Sequence, residues 1–167
     1  MLTVSDSTPI ITLLKINRLE ILQNLFGKIL IPRAVFKELT ENELYQNESE
    51  TVKNSEFIIV KKVENLQAVK ILREIAGLDA GESESIALAE EINSDVLLMD
   101  ERKGRQVAKK LNLKIVGTVG ILLQAYDENF LSESDILECV KILKNSNIRI
   151  SENLFELIVK HIEGRKI

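Results

Sequence analysis

The spacing of apolar residues along the chain switches repeatedly between two habits. Short runs rich in leucine and β-branched residues read as strands, and the stretches between them carry apolar residues at helical intervals. "LTVS" (2–5), "KILIP" (28–32), "FIIVKKV" (57–63), "DVLLMD" (95–100) and "LKIVG" (113–117) supply the strands. "TPIITLLKI", "LEILQNLF", "RAVFKELTENEL", "LQAVKILREIA", "GESESIALAEEI", "ERKGRQVAKKL" and "VGILLQAY" supply the helices. Pro9 fits a first helical turn, Pro32 ends the second strand, and Gly77 marks a helix stop. The polar, aperiodic "YQNESETVKNSE" (45–56) reads as an exposed loop. Strands alternating with helices at this spacing predict βαβ units and a largely parallel sheet covered on both faces. From Leu131 onward, "SESDILECVKILKN" and "SENLFELIVKHIE" predict two further helices, each opened by serine and acidic residues that suit an N-terminal cap.

Composition narrows this picture. The chain has 167 residues, 45% of them apolar, enough for one domain with a substantial core. No apolar stretch approaches the roughly 20 residues needed to span a bilayer, and no signal peptide opens the chain, so a cytoplasmic protein is expected. Cys139 is the single cysteine, which excludes disulfide and cysteine–zinc frameworks; its leucine- and isoleucine-rich setting points to a buried thiol. The only histidine, His161, lies on the last helix, where a packing or surface role is expected. A formal net charge of −4 offers no global attraction for nucleic acid. Phosphate binding would have to use local clusters, at Lys61 and Lys62 or at Arg102, Lys103 and Arg105, which as charge runs also suit a solvated face.

Candidate chemistry resides in four acids. In an open parallel sheet, functional groups collect beyond the carboxyl ends of the strands. Asp6 follows the first strand and Asp100 the fourth. Glu38 borders the apolar stripe of its helix, and Glu82 sits in the first turn of another. Each has a plain structural alternative: Asp6 and Asp100 as helix caps, Glu82 as a partner of the helix dipole, Glu38 as a rim residue. Gathered at one sheet end, however, four carboxylates would raise one another's pKa values or recruit a cation. Oxygen-only ligation suits Mg2+ or Mn2+, and such an ion activates water and clamps phosphate oxygens, which implies phosphodiester hydrolysis.

The segments "VSDSTPII", "IPRAVFKEL", "GESESIALA" and "VLLMDERKGRQVAKKLNLKIVGTVGIL" together resemble the PIN-domain family, in particular the prokaryotic branch related to the VapC toxins. The likeness runs from about Leu2 to Phe130. It implies a three-layer α/β/α sandwich around a central, mainly parallel sheet, with a PIN-like unit over residues 1–130 and a C-terminal helical extension over 131–167. It also implies metal-dependent ribonuclease activity, frequent homodimerisation and, for a toxin, a small antitoxin partner. By motif, Asp6, Glu38, Glu82 and Asp100 match the family's acids, and Ser7 matches its small hydroxyl residue. Arg105 matches an arginine of the branch, with Arg102 beside it as a second substrate-binding candidate. Glu84 is the alternative third acid. The chain departs from the toxins in carrying glutamate for the usual third aspartate, and "MDERKGR" where threonine or serine usually stands near the last aspartate.

Two functions from different classes follow. The first is a Mg2+- or Mn2+-dependent endoribonuclease, with RNA as substrate. The second is a catalytically weak module of the same fold that binds nucleic acid or a partner, its acidic cleft holding a cation or a partner's arginine. An aspartyl-phosphate phosphatase would want an aspartate two positions after Asp6, where Thr8 stands, and the acidic pair of a phosphorelay receiver is missing too.

Overall fold

The computed structural model describes residues 1–41, 46–146 and 152–164. Five strands, β1 (Thr3–Ser5), β2 (Ile29–Pro32), β3 (Ile58–Lys61), β4 (Val96–Leu98) and β5 (Ile115–Val116), form one sheet in the order β3-β2-β1-β4-β5. Every pairing is parallel, with Thr3 opposite both Ile29 and Val96 and Ser5 opposite Leu98. The helices between them are α1 (Ser7–Lys15), α2 (Glu20–Phe26), α3 (Arg33–Glu41), α4 (Gln46–Asn54), α5 (Leu66–Glu74), α6 (Ala80–Glu91), α7 (Arg102–Lys110) and α8 (Thr118–Asp127). The chain continues as α9 (Glu133–Asn145) and α10 (Glu152–Gly164).

The three layers follow from the two-residue period of the strands. On β4 and its continuation, Val96 and Leu98 join one apolar cluster while Leu97 and Met99 join the other. The first cluster lies under α1, α2, α3 and α8, and takes in Ile136, Val140 and Leu143 of α9 and Ile158 and Ile162 of α10. The second lies under α5, α6 and α7, through Leu72, Ile86, Leu88 and Ala108. This is the α/β/α sandwich with a C-terminal helical region that the sequence predicts.

Helix ends carry recognisable chemistry. Ser132 and Asp135 close a reciprocal capping box at the start of α9, and Asn65 accepts the Ala68 N–H at the start of α5. Gly77 adopts φ +65°, the left-handed turn expected of it. Asn17, Asn93, Asn112 and Asn129 take positive φ just beyond α1, α6, α7 and α8, a position asparagine tolerates better than other non-glycine residues.

One expectation is overturned. Residues 46–54, read from their polarity as part of a loop, form α4; Tyr45 and the end of "RAVFKELTENEL" (42–44) lie outside the described residues. The helix needs only a narrow seam: among its described side chains Ser49 and Val52, three residues apart, are buried, and Ser49 donates to the Thr40 carbonyl at 3.3 Å. Packing against α3, rather than periodicity strong enough to see, holds it in place.

Candidate functional site

β1 and β4 are neighbours in parallel register, so the residues leaving them emerge side by side at the carboxyl end of the sheet. The Asp6 N–H donates to the Leu98 carbonyl at 2.9 Å, which extends the ladder one residue past β1. Asp6 therefore has the extended backbone of an N-cap, φ −76° and ψ 170°, but its side chain makes no capping bond. The residue is 2% exposed, and its Oδ1 has no hydrogen-bond partner among the described residues. An unpaired buried carboxylate oxygen is costly. Burial is the main cause that lifts the Asp6 pKa to about 7; the Ser7 backbone N–H offsets part of this, and the charges of Glu38, Asp79 and Glu82 add to the rise.

Glu38 enters from α3, whose buried stripe runs through Val35 and Leu39. Its carboxyl is pushed up chiefly by burial, with the Ser7 hydroxyl and the Gly81 N–H drawing it part of the way back and Asp79 and Glu82 adding to the rise. A Cβ at Gly81 would lie 2.6 and 2.9 Å from the two Glu38 oxygens, so glycine is what lets that carboxylate reach the first turn of α6. Glu82, in the same turn, is buried and also raised mainly by burial. It closes a capping box with Asp79: the Glu82 N–H donates to Asp79 Oδ1 at 2.8 Å and the Asp79 N–H to Glu82 Oε2 at 3.1 Å.

Asp79 is the member of this pocket that sequence reasoning missed. Its signal was present: "DAGE" is an acid followed three residues later by glutamate at a helix start, the capping-box spacing. Glu84, the alternative third acid, instead accepts the Ala34 N–H at 3.0 Å, against the start of α3.

Asp100 is treated differently. Its oxygens accept from the Thr118 N–H at 2.7 Å and the Thr118 hydroxyl at 2.5 Å, at the β5–α8 junction. Gly117 makes room for this, since a Cβ there would lie 2.8 Å from Asp100 Oδ1 and 2.8 Å from Arg105 Nη1. A hydroxyl partner for Asp100 thus arrives from the start of α8, just beyond the neighbouring strand. No spacing in the sequence ties Thr118 to Asp100.

The basic candidates separate as well. Arg105 Nη1 donates to the Met99 carbonyl at 2.8 Å, bracing the backbone just before Asp100. Lys103 reaches away, donating to the Gly77 carbonyl at 2.6 Å. Lys62 pairs with Glu64 at 3.1 Å, while Lys61 and Arg102 are exposed. His161 contacts Asp127 at 2.8 Å and the edge of Tyr126, and Cys139 is buried, its thiol pushed up chiefly by that burial.

The donor set around Asp6 is all oxygen and includes one unsatisfied carboxylate atom, which suits a hard divalent cation. Among the described residues, however, no three acidic, histidine or cysteine side chains come close enough to hold a metal ion between them. The pocket is acidic and coupled, but it is not a closed ligand cage.

A family model described as a PIN domain, DUF3368, matches residues 2–164. The chain belongs to the PIN-domain family. No curated protein matches it. The PIN-domain match takes in α9 and α10 as well as the sandwich. Among the described residues of this PIN domain, no helix is long and apolar enough to cross a membrane.

Proposed function

We propose that this PIN-domain protein binds RNA at the carboxyl end of its sheet and that the acidic pocket around Asp6 takes a cationic group. The observation that carries the proposal is the Asp6 carboxylate: buried, with one unpartnered oxygen, and surrounded by Glu38, Asp79 and Glu82. A cation there would relieve both the missing partner and the mutual repulsion. The arrangement supports binding more directly than turnover, because no three acids converge within metal-holding range among the described residues and the Asp100 oxygens are engaged by Thr118.

The finer reading is a Mg2+- or Mn2+-dependent endoribonuclease of the VapC-like branch, acting in the cytoplasm as a homodimer and paired with a small antitoxin. Asp6, Glu38 and Glu82, with Asp100 beside them, would hold the ion; Ser7, Arg102 and Arg105 would meet the substrate. When bound, the ion would lower the pKa of a water and offset charge on the scissile phosphate. The raised pKa of Asp6, about 7, favours this reading, since a carboxyl that ionises near neutrality can exchange a proton for a metal at little cost. A Mn2+ titration and a cleavage assay on mixed RNA, run on the wild type and on Asp6→Asn, test both. Metal binding with cleavage, both lost in the variant, supports the nuclease; RNA binding without metal-dependent cleavage leaves the binding module; absence of both refutes the proposal.

A further inference from the structure

α3 presents two adjacent faces to the pocket region, and only one of them carries the acid. Arg33, Phe36 and Lys37, at i, i+3 and i+4, share a face, and Glu38 lies roughly 100° further round. The first face lines a groove of about 890 Å³ bounded by the exposed Val60 of β3, an edge strand, and by the start of α6. Glu38 lines the same groove, which is therefore continuous with the acidic pocket.

Arg33 and Lys37 are exposed like charges one turn apart, a mildly unfavourable arrangement on an isolated helix. Neither forms an ion pair among the described residues. Phe36, half-buried and seated on the core, is an aromatic wall of the same groove. Three acids line the same groove: Glu38, Glu84, whose carboxylate accepts the Ala34 N–H at 3.0 Å, and Glu41, one turn beyond Lys37. Two cations without an ion pair among the described residues, in a groove that also holds an aromatic ring, are a combination that binds single-stranded nucleic acid, with phosphates on the charges and a base against the ring. The volume is in the range of small-ligand sites and accommodates one nucleotide.

We infer that the groove between α3, β3 and α6 is a nucleotide subsite, in which Arg33 and Lys37 receive backbone phosphates and Phe36 packs against a base of a single-stranded RNA whose next linkage lies at Glu38. The inference rests on the RNA-binding reading above and names where the strand runs.

The test is fluorescence anisotropy with a labelled, mixed-sequence single-stranded oligoribonucleotide in EDTA, so that binding is read without turnover. Arg33→Gln and Lys37→Gln should each weaken binding about 3- to 10-fold and reduce the slope of log affinity against log salt by about 0.7. Phe36→Leu should weaken it by about 5- to 100-fold with the slope unchanged, because a stacking contact releases no counterion. A duplex of the same sequence should compete poorly. Wild-type affinity and slope in all three variants, or equal competition by duplex, would overturn the subsite and leave the groove to a protein partner. If the wild type binds no RNA at all, the functional reading fails and the subsite with it. Should Phe36→Leu not fold, the two exposed charge variants decide by their slopes alone.

Discussion

Asp6 and Asp100 leave neighbouring parallel strands at the same end of the sheet, yet their surroundings treat the two carboxylates in opposite ways. Asp100 is half-buried and met by a backbone N–H and a hydroxyl from Thr118. Asp6 is almost fully buried, with one oxygen facing no donor and three further acids close enough to raise its pKa. Two acids at equivalent strand ends therefore differ in what they can accept. The Asp100 corner is a finished hydrogen-bond network that fixes backbone between two strands. The Asp6 pocket carries a deficit of positive charge, which an ion, a proton or a basic group would fill.

The strongest way to break this contrast is Asp6→Asn. It should lower Mn2+ affinity and any RNA cleavage by on the order of 100-fold or more, while the metal-free fold survives, because removing a buried unpaired charge relieves strain on the native state. Isothermal titration with Mn2+ and thermal unfolding check the two halves. If Thr118→Val reduced Mn2+ affinity more than Asp6→Asn, the contrast would be reversed.

The pH dependence follows from the same residue. The Asp6 pKa is about 7 in the folded state against 3.8 for an ordinary aspartate. Below about pH 4 both states hold the proton and this group costs nothing. As pH rises to about 7 only the unfolded chain ionises, so stability falls through that window, by on the order of 4 kcal/mol without a cation, and the loss levels off above it. Glu38 and Glu82, raised in the same direction, add to the fall. Denaturant unfolding between pH 4 and 8 should display the slope in the wild type and a shallower one in Asp6→Asn. Mn2+ should restore more stability at pH 7 than at pH 5.

Gly81→Ala sharpens the contrast without touching an acid. The new methyl would displace the Glu38 carboxylate, lowering Mn2+ affinity about 10-fold, while the preference of alanine for helices, about 1 kcal/mol over glycine, limits any loss of stability. Unchanged Mn2+ affinity in calorimetry would remove Glu38 from the pocket's function. At the Asp100 corner, Thr118→Val removes one donor and keeps the backbone bond, so a stability loss of about 1–2 kcal/mol in urea unfolding is expected, with a smaller effect on Mn2+ binding than either pocket variant. The smallest effect should come from Lys103→Ala. Its exposed bond to the Gly77 carbonyl is worth roughly 1 kcal/mol or less, and the salt slope of RNA binding should not move; a slope reduced by about 0.7 would return Lys103 to the substrate path.

Much of the architecture was readable along the chain because it depends on local repetition. Alternation in "VLLM" sends Val96 and Leu98 to one face and Leu97 and Met99 to the other, and that same alternation puts Asp6 and Asp100 just past strand ends. The capping-box spacing in "DAGE" is local too, and attention to it would have brought Asp79 in beside Glu82. α4 was not readable, since a helix with a seam as narrow as Ser49 and Val52 looks polar and aperiodic until α3 is laid against it.

What the sequence determined by itself is the layered fold and the chemical type of its acids, because residue period and residue identity are properties of the chain. Which acid is poised and which is saturated was decided only in three dimensions. The state of a carboxylate depends on the dielectric around it and on the polar groups that face it, and those come from distant segments: Thr118 from beyond β5 donates to Asp100, while Ser7 and the first turn of α6 temper the raised pKa of Glu38. Asp6 is left without such a donor on Oδ1, and nothing in the run "VSDSTP" marks that absence.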